Sequence, residues 1–322
     1  MPLASQHASG DALAHRRADY ARMLAEGGDF SGAIELMGQA LEISPDWAAG
    51  WYRLAEYAEK ATDRRAAAAA LGRVLALAPN DPFGATLRLA VLGAADVPAA
   101  PPSRYVQQLF DDYAQRFDKS LVDRLGYSVP QKLAALVDEG IATRQFAHVT
   151  DLGCGTGLFG ERVRDRATFL EGFDLSARML AKAREKAVYD RLARADLSLP
   201  PDESGVFDTD LPAHRADLAS AADVLIYLGD LSPVFAIAEK LVAAGGHFAF
   251  SVEDAGAEET YVLRPSLRYA HGEGYVRACA EKAGFTVLQS RQTVIRMDAG
   301  TPVTGRLYLA RCGEPGPSAS AA

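Results

Sequence analysis

The chain has 322 residues, 49% hydrophobic and 24% charged, with 34 Lys and Arg against 42 Asp and Glu for a formal net charge of −8. This length allows a large apolar core and more than one domain, while the acidic balance works against attraction to phosphate backbones and so against nucleic acid as a partner. Three cysteines, Cys154, Cys279 and Cys312, are too few and too scattered for a disulfide framework or a zinc site. No metal is expected, and a reducing cytoplasm is the expected compartment. The residues through Arg17 hold no apolar core of signal-peptide length, and no run of about 18 apolar residues occurs, so neither a leader nor a membrane span is expected.

The first hundred residues repeat. Pro45 and Pro79 stand 34 apart, as do Asp29 and Asp63, and on that offset Ala21, Ala33, Met37 and Ala40 fall on Ala55, Ala67, Leu71 and Val74. Large residues of one helix and alanines of the next share a face at three- and four-residue spacing, which predicts closely packed helix pairs. Turns at Gly27-Gly28-Asp29 and Thr62-Asp63 separate the helices, and each proline follows a second helix. The pattern resembles the tetratricopeptide repeat. That resemblance implies about two repeats over residues 1–95, capped by a helix from Pro82 to Ala94. Such a module could dock a protein partner, self-associate or pack against the rest of the chain. Residues 96–103, with Pro98, Pro101 and Pro102, read as a stiffened linker.

Next, Tyr105, Leu109, Tyr113 and Phe117 recur every four residues, which predicts an amphipathic helix. Pro130 opens a second helix at a permitted first-turn position, through Val137. The aromatic stripe suits either a core face or a lid over a ligand, because both have the same period, and Tyr113 could serve both.

Val149-Thr150-Asp151-Leu152-Gly153-Cys154-Gly155-Thr156-Gly157 comes next, followed by Asp174 in Gly172-Phe173-Asp174-Leu175-Ser176. Strand, glycine turn, helix, strand and acid form a unit in which glycines let backbone approach a ligand and the acid accepts from a ribose diol. Gly155, Gly157 and Gly160 also fit the dinucleotide pattern, a weak signal by itself. The acid Asp151 ahead of the turn suits a ligand with ammonium and sulfonium charges better than a pyrophosphate.

These residues, with Ala195-Asp196-Leu197, resemble the first three motifs of class I S-adenosylmethionine-dependent methyltransferases, over residues 104–312. The resemblance implies an α/β, Rossmann-like, mainly parallel seven-stranded sheet with an antiparallel C-terminal edge strand. It also implies that Gly153, Gly155 and Gly157 pack under the cofactor, with Cys154 as a small residue that fits between them. Asp151 would lie near the methionine end and Asp174 would hold both ribose hydroxyls. Leu175 and Met179 would flank the adenine, and Asp196 would accept from its amino group beside Leu197. Ala221 to Asp230 resembles the loop after the fourth strand where methyl meets acceptor, which adds Ala222 and Asp223 to the cofactor set.

The fourth strand is thin, Ala216 to Ala222, after a polar insertion from Asp202 to His214. Val234 to Val242 reads as a helix ended by Gly245-Gly246, and His247 to Val252 as the fifth strand. A helix from Tyr275 to Ala283, a strand from Phe285 to Met297 and a last strand from Arg306 to Cys312 follow, the two strands joined by a turn at 298–302. Residues 313–322 read as a disordered tail.

Acceptor chemistry is expected beyond the carboxyl ends of the strands. His271, Tyr227 and Glu253 are the catalytic candidates, and Tyr113, Tyr227, Arg268 and Tyr269 the acceptor-binding ones, with Asp223, Ser251 and Arg264 nearby. His271 suits a general base and Arg268 an acidic acceptor; equally, His271 could make one backbone bond and Glu253 end a strand in solvent. The expected activity is methyl transfer to oxygen or nitrogen of a small molecule or carrier-presented metabolite. The Asn/Asp-Pro-Pro-aromatic signature of DNA amino-methyltransferases is absent, with Ala222-Asp223-Val224 in its place. A repeat-based adaptor with an inactive cofactor domain is the alternative, and an NAD(P) oxidoreductase the third reading.

Overall fold

The computed structural model describes residues 9–114, 128–143, 145–208, 210–256, 260–298 and 300–313; Phe117 and the tail beyond Gly313 lie outside the described residues. The chain forms two compact units, residues 1–112 with 265–267, and residues 113–264 with 268–322. Among the described residues no helix is long and apolar enough to cross a membrane.

The first unit is helical: α1 (Ala12–Glu26), α2 (Phe30–Ile43), α3 (Ala48–Lys60), α4 (Arg64–Leu77), the short α5 (Ala85–Val91) and most of α6 (Ser103–Tyr113). Asp11, Asp29 and Asp63 cap α1, α2 and α4 by accepting first-turn N–H groups that have no partner inside the helix. The 34-residue offset recurs in the packing. Ala33, Met37 and Ala40, and their equivalents Ala67, Leu71 and Val74, are all fully buried. Arg17 donates to the Gln39 carbonyl at 3.0 Å, and at the equivalent positions the Arg73 guanidinium lies 5.7 Å over the Trp51 ring. The expected capping helix is shorter than residues 82–94, because Asp81 caps it only at the N–H groups of Ala85 and Thr86.

The second unit contains α7 (Val129–Gly140), β1 (Phe146–Leu152), α8 (Gly160–Val163), β2 (Ala167–Asp174), α9 (Ala177–Glu185), β3 (Arg191–Arg194) and β4 (Ala216–Ala221). It continues with α10 (Ser232–Leu241), β5 (Val242–Asp254), β6 (Tyr261–Leu263), β7 (Tyr269–His271), α11 (Glu273–Lys282), β8 (Phe285–Asp298) and β9 (Thr301–Cys312). Strands β3, β2, β1, β4 and β5 lie side by side and parallel. Apolar clusters cover both faces, one around Phe235, Phe248 and Phe250 and the other around Leu133, Leu136 and Phe146, as a doubly covered parallel sheet requires.

Three expectations are corrected. The C-terminal strand is not the edge: β9 runs antiparallel between β5 and β8, leaving β8 outermost. Leu307 to Ala310 are fully buried whereas Leu288 and Val294 of β8 are exposed, so the continuous apolar run takes the interior position. Among the described residues the sheet has nine strands rather than seven, since the β6–β7 ribbon joins it through the end of β5. Gly245-Gly246 does not stop the preceding helix either, because α10 ends at Leu241. Gly245 has φ of 73°, and the β4–β5 register shifts beside it, so the pair forms an irregularity inside β5.

Candidate active site

At the end of β1 the chain turns through positive φ at Gly153 (69°), Gly155 (54°) and Gly157 (92°), a region costly for residues with a Cβ. A Cβ at Gly153 would stand 2.4 Å from Val224 Cγ2, so the turn is pressed against the loop after β4. Pro130, Asp151, Cys154, Thr156, Phe159 and Ala222 line a cleft over it. Asp174, half-buried at the end of β2, accepts the Gly155 N–H on Oδ2 at 2.9 Å and the Ser176 N–H on Oδ1 at 2.8 Å. These two bonds hold the carboxylate at the end of β2, beside the glycine turn.

Asp151 is buried (1% exposed) and accepts from Tyr189 Oη at 2.7 Å and Ser220 Oγ at 2.8 Å. Burial nevertheless raises its pKa from 3.8 to about 6. The Tyr189 side chain occupies the space beneath the turn: a Cβ at Gly157, Gly160 or Gly172 would lie 2.9, 2.3 or 2.8 Å from it. Gly160, the residue that completes the dinucleotide pattern, is therefore small because of Tyr189. Sequence reasoning missed Tyr189, which lies outside every motif in a turn between α9 and β3. Burial pushes the Cys154 thiol well up, with Asp174 and Asp151 adding to it, so it stays neutral.

Beyond β3, half-buried Asp196 accepts the Ser198 N–H at 3.0 Å and its hydroxyl at 2.5 Å, both on Oδ1. Leu197 is nearly buried and Met179 fully buried, while Leu175 is half-buried. The Asp174 carbonyl accepts the Ala195 N–H at 3.1 Å, which sets the Asp196 loop beside the end of β2.

On the acceptor side, Asp223 has φ of 59°, strain of the kind found at functional sites, and its N–H donates to Ser251 Oγ at 2.8 Å. Burial raises the Asp223 pKa to about 6, against the opposing Arg296 and Arg268. Arg296 Nη1 lies 3.5 Å from Asp223 Oδ1, and its Nη2 donates to Glu253 Oε2. Arg268 Nε donates to Tyr227 Oη at 3.3 Å.

His271 is 1% exposed, and its Nε2 lies 2.8 Å from the Leu228 carbonyl and 3.2 Å from that of Gly229. Burial lowers its pKa to about 4. A neutral, enclosed imidazole whose proton is held by carbonyls is poorly placed as a base, and the backbone-bonding alternative describes it better. Tyr269 is fully buried and offers no surface to an acceptor. Glu253 is nearly buried rather than a solvated strand end. Tyr113 packs half-buried against the α7 face of the core.

These residues fit S-adenosylmethionine: a diol acceptor at Asp174, backbone laid bare by the glycine turn and a buried acid at Asp151. The parallel sheet and the glycine–acid geometry form a Rossmann-like fold of the S-adenosylmethionine-dependent methyltransferase type. Residues 150–248 match the family model described as a methyltransferase domain.

Among characterised proteins, the chain is similar to the malonyl-[acyl-carrier protein] O-methyltransferase of Salmonella typhimurium, 32% identical over 127 residues, 39% of this chain and 45% of that one. It is also similar to the protein of the same name from Enterobacter lignolyticus, 40% identical over 68 residues, 21% of this chain and 27% of the other. The chain thus spans less than half the length of these curated relatives. Among solved structures, the 1,6-didemethyltoxoflavin-N1-methyltransferase of Burkholderia thailandensis superposes with a TM-score of 0.51 at 18% identity, covering 68% of this chain and 94% of that one. The [4+2]-cyclase SpnF gives 0.54 at 16% identity, over 67% and 98%. These two show the shared fold.

Proposed function

We propose that this protein transfers a methyl group from S-adenosylmethionine to an oxygen or nitrogen acceptor on a small or carrier-presented metabolite. The observation that supports this most is the convergence at one sheet end of the Gly153–Gly157 turn, the oriented carboxylate of Asp174 and the strained Asp223 loop. Asp174 would take the ribose diol, and Asp196, through the oxygen not bonded to Ser198, the adenine edge. Leu175 and Leu197 would flank the base, and Asp151 would face the methionine ammonium. Ala222 and Val224 would close the floor beside the reacting centre. When bound, the cofactor supplies a methyl group already activated by its sulfonium. What remains for the chain is to align the acceptor and exclude water, and alignment can contribute about 7–11 kcal/mol. A carrier-presented acceptor draws support from the substrate named in the titles of the curated relatives. The helical unit, with its 34-residue period, is proposed as a tetratricopeptide-like module for docking a partner.

Calorimetric titration with S-adenosylhomocysteine tests the reading. The wild type should bind, and Asp174→Ala should bind at least about tenfold more weakly, since it loses charge-assisted bonds of roughly 1.5–3 kcal/mol each. Absence of binding by the wild type overturns it.

A further inference from the structure

We propose that the acceptor is a carboxylate, held by Arg268 beside the Tyr227 hydroxyl and converted to its methyl ester. The proposal rests on the methyl-transfer reading above and goes further by naming the reacting group and the residue that recognises it.

The argument begins with charge. Arg264, Arg268 and Arg296 gather around the C-terminal ends of β4 and β5, with the acids Asp223 and Glu253 among them. Both acids are already engaged. Arg296, 3% exposed, lies 3.5 Å from Asp223 Oδ1 and bonds Glu253 Oε2. Arg264 Nε lies 3.7 Å from Glu253 Oε1. Among the described residues Arg268 has no carboxylate within ion-pair distance, and the bond from its Nε to Tyr227 leaves both terminal nitrogens without a partner. Asp223, already paired with Arg296, and the exposed Asp298 act on it only from beyond that distance. Arg268 and Tyr227 are both half-buried, so solvent screens the extra positive charge poorly. A guanidinium with its two terminal nitrogens free matches a carboxylate in bidentate geometry.

Proton accounting points the same way. An alcohol, a phenol or an ammonium must give up a proton to be methylated, and the nearby bases are committed. His271 is enclosed, with its ring proton on backbone carbonyls, Asp223 and Glu253 face Arg296, and Asp151 accepts from two hydroxyls. An ammonium would in addition meet surplus positive charge. A carboxylate is already deprotonated at neutral pH and needs no base. One carboxylate oxygen forms the new O–CH3 bond as the S–CH3 bond breaks. That bonding pair stays on sulfur, so the sulfonium becomes a neutral thioether, the carboxylate becomes a neutral ester, and no proton moves. Arg268 thus recognises the acceptor, and Tyr227 is its positioning residue.

The test uses the full chain with methyl-tritiated S-adenosylmethionine and succinate, adipate and benzoate as probes, with their amides as controls. The expected product is volatile tritiated methanol released by alkali from the acids and none from the amides, the signature of a methyl ester. Arg268→Gln should raise KM for the best acid about thirtyfold or more while leaving the affinity for S-adenosylhomocysteine unchanged, and Arg268→Lys should restore part of the loss. Titration of the S-adenosylhomocysteine-loaded protein with the same acids should show the same loss without turnover. Alkali-stable product, equal use of amides, no acid binding to the loaded wild type, or an unchanged KM in Arg268→Gln each overturns the carboxylate assignment. Failure of the wild type to bind S-adenosylhomocysteine at all removes the methyl-transfer reading instead.

Discussion

Replacing Asp151 by asparagine should make the protein more stable and a poorer cofactor binder at once. Burial raises the Asp151 pKa from 3.8 to about 6 even though Tyr189 and Ser220 donate to it. Because the folded value lies above the unfolded one, the stability this group contributes is fully present below pH 3.8 and is lost as pH rises through about 6. Roughly two units at 1.36 kcal/mol each mean that the ionised carboxylate costs about 3 kcal/mol at neutral pH relative to the protonated acid. Asparagine has nearly the same shape, an oxygen for the Tyr189 hydroxyl and an N–H for the Ser220 oxygen, but no charge to desolvate. Weaker hydrogen bonds offset part of the gain, so a net stabilisation of roughly 1–3 kcal/mol is expected at pH 7. Urea unfolding of wild type and Asp151→Asn from pH 4 to pH 8 measures it. The difference should be near zero at the acid end and grow as pH rises through 6. In parallel titrations the variant should bind S-adenosylhomocysteine more weakly, because it lacks the charge proposed above to face the ammonium. A stability difference independent of pH, or a variant less stable at pH 8 than at pH 4 relative to wild type, refutes the reasoning.

His271 should show the opposite slope: its pKa is lowered from 6.5 to about 4, so the stability it contributes is present above 6.5 and lost as pH falls through 4, about 3 kcal/mol in all. His271→Gln should therefore gain on wild type as pH falls from 6.5 to 4, read by the same unfolding series, while the pH profile of kcat/KM near neutrality stays in place; a lost limb in that profile would make His271 a base after all. In the helical unit, Asp29→Ala and Asp63→Ala each remove a first-turn cap and should cost about 1 kcal/mol apiece by denaturant unfolding. No loss in either would argue against equivalent caps at the 34-residue spacing.

Several features were legible because they are local. The aspartate caps of α2 and α4 sit a few residues from the N–H groups they accept. The glycines at 153, 155 and 157 declare positive φ by lacking a Cβ, and Asp174 follows at the distance one βαβ unit imposes. The 34-residue period was readable from identical spacing alone. The place of β9 was not, although four consecutive buried residues, Leu307 to Ala310, were its available signal, because an apolar run does not say which strands lie on either side.

The amino-acid order therefore determined the glycine turn after β1, most of the helices and strands, and the acid that ends β2, since each depends on residues within about one supersecondary unit. Only tertiary packing decided that Tyr189 reaches back to Asp151, that Arg296 rather than Arg268 occupies the two acids, and that His271 is enclosed. Each of these joins groups far apart in the chain, and both the burial that shifts a proton and the pairing that neutralises a charge depend on what other segments bring alongside.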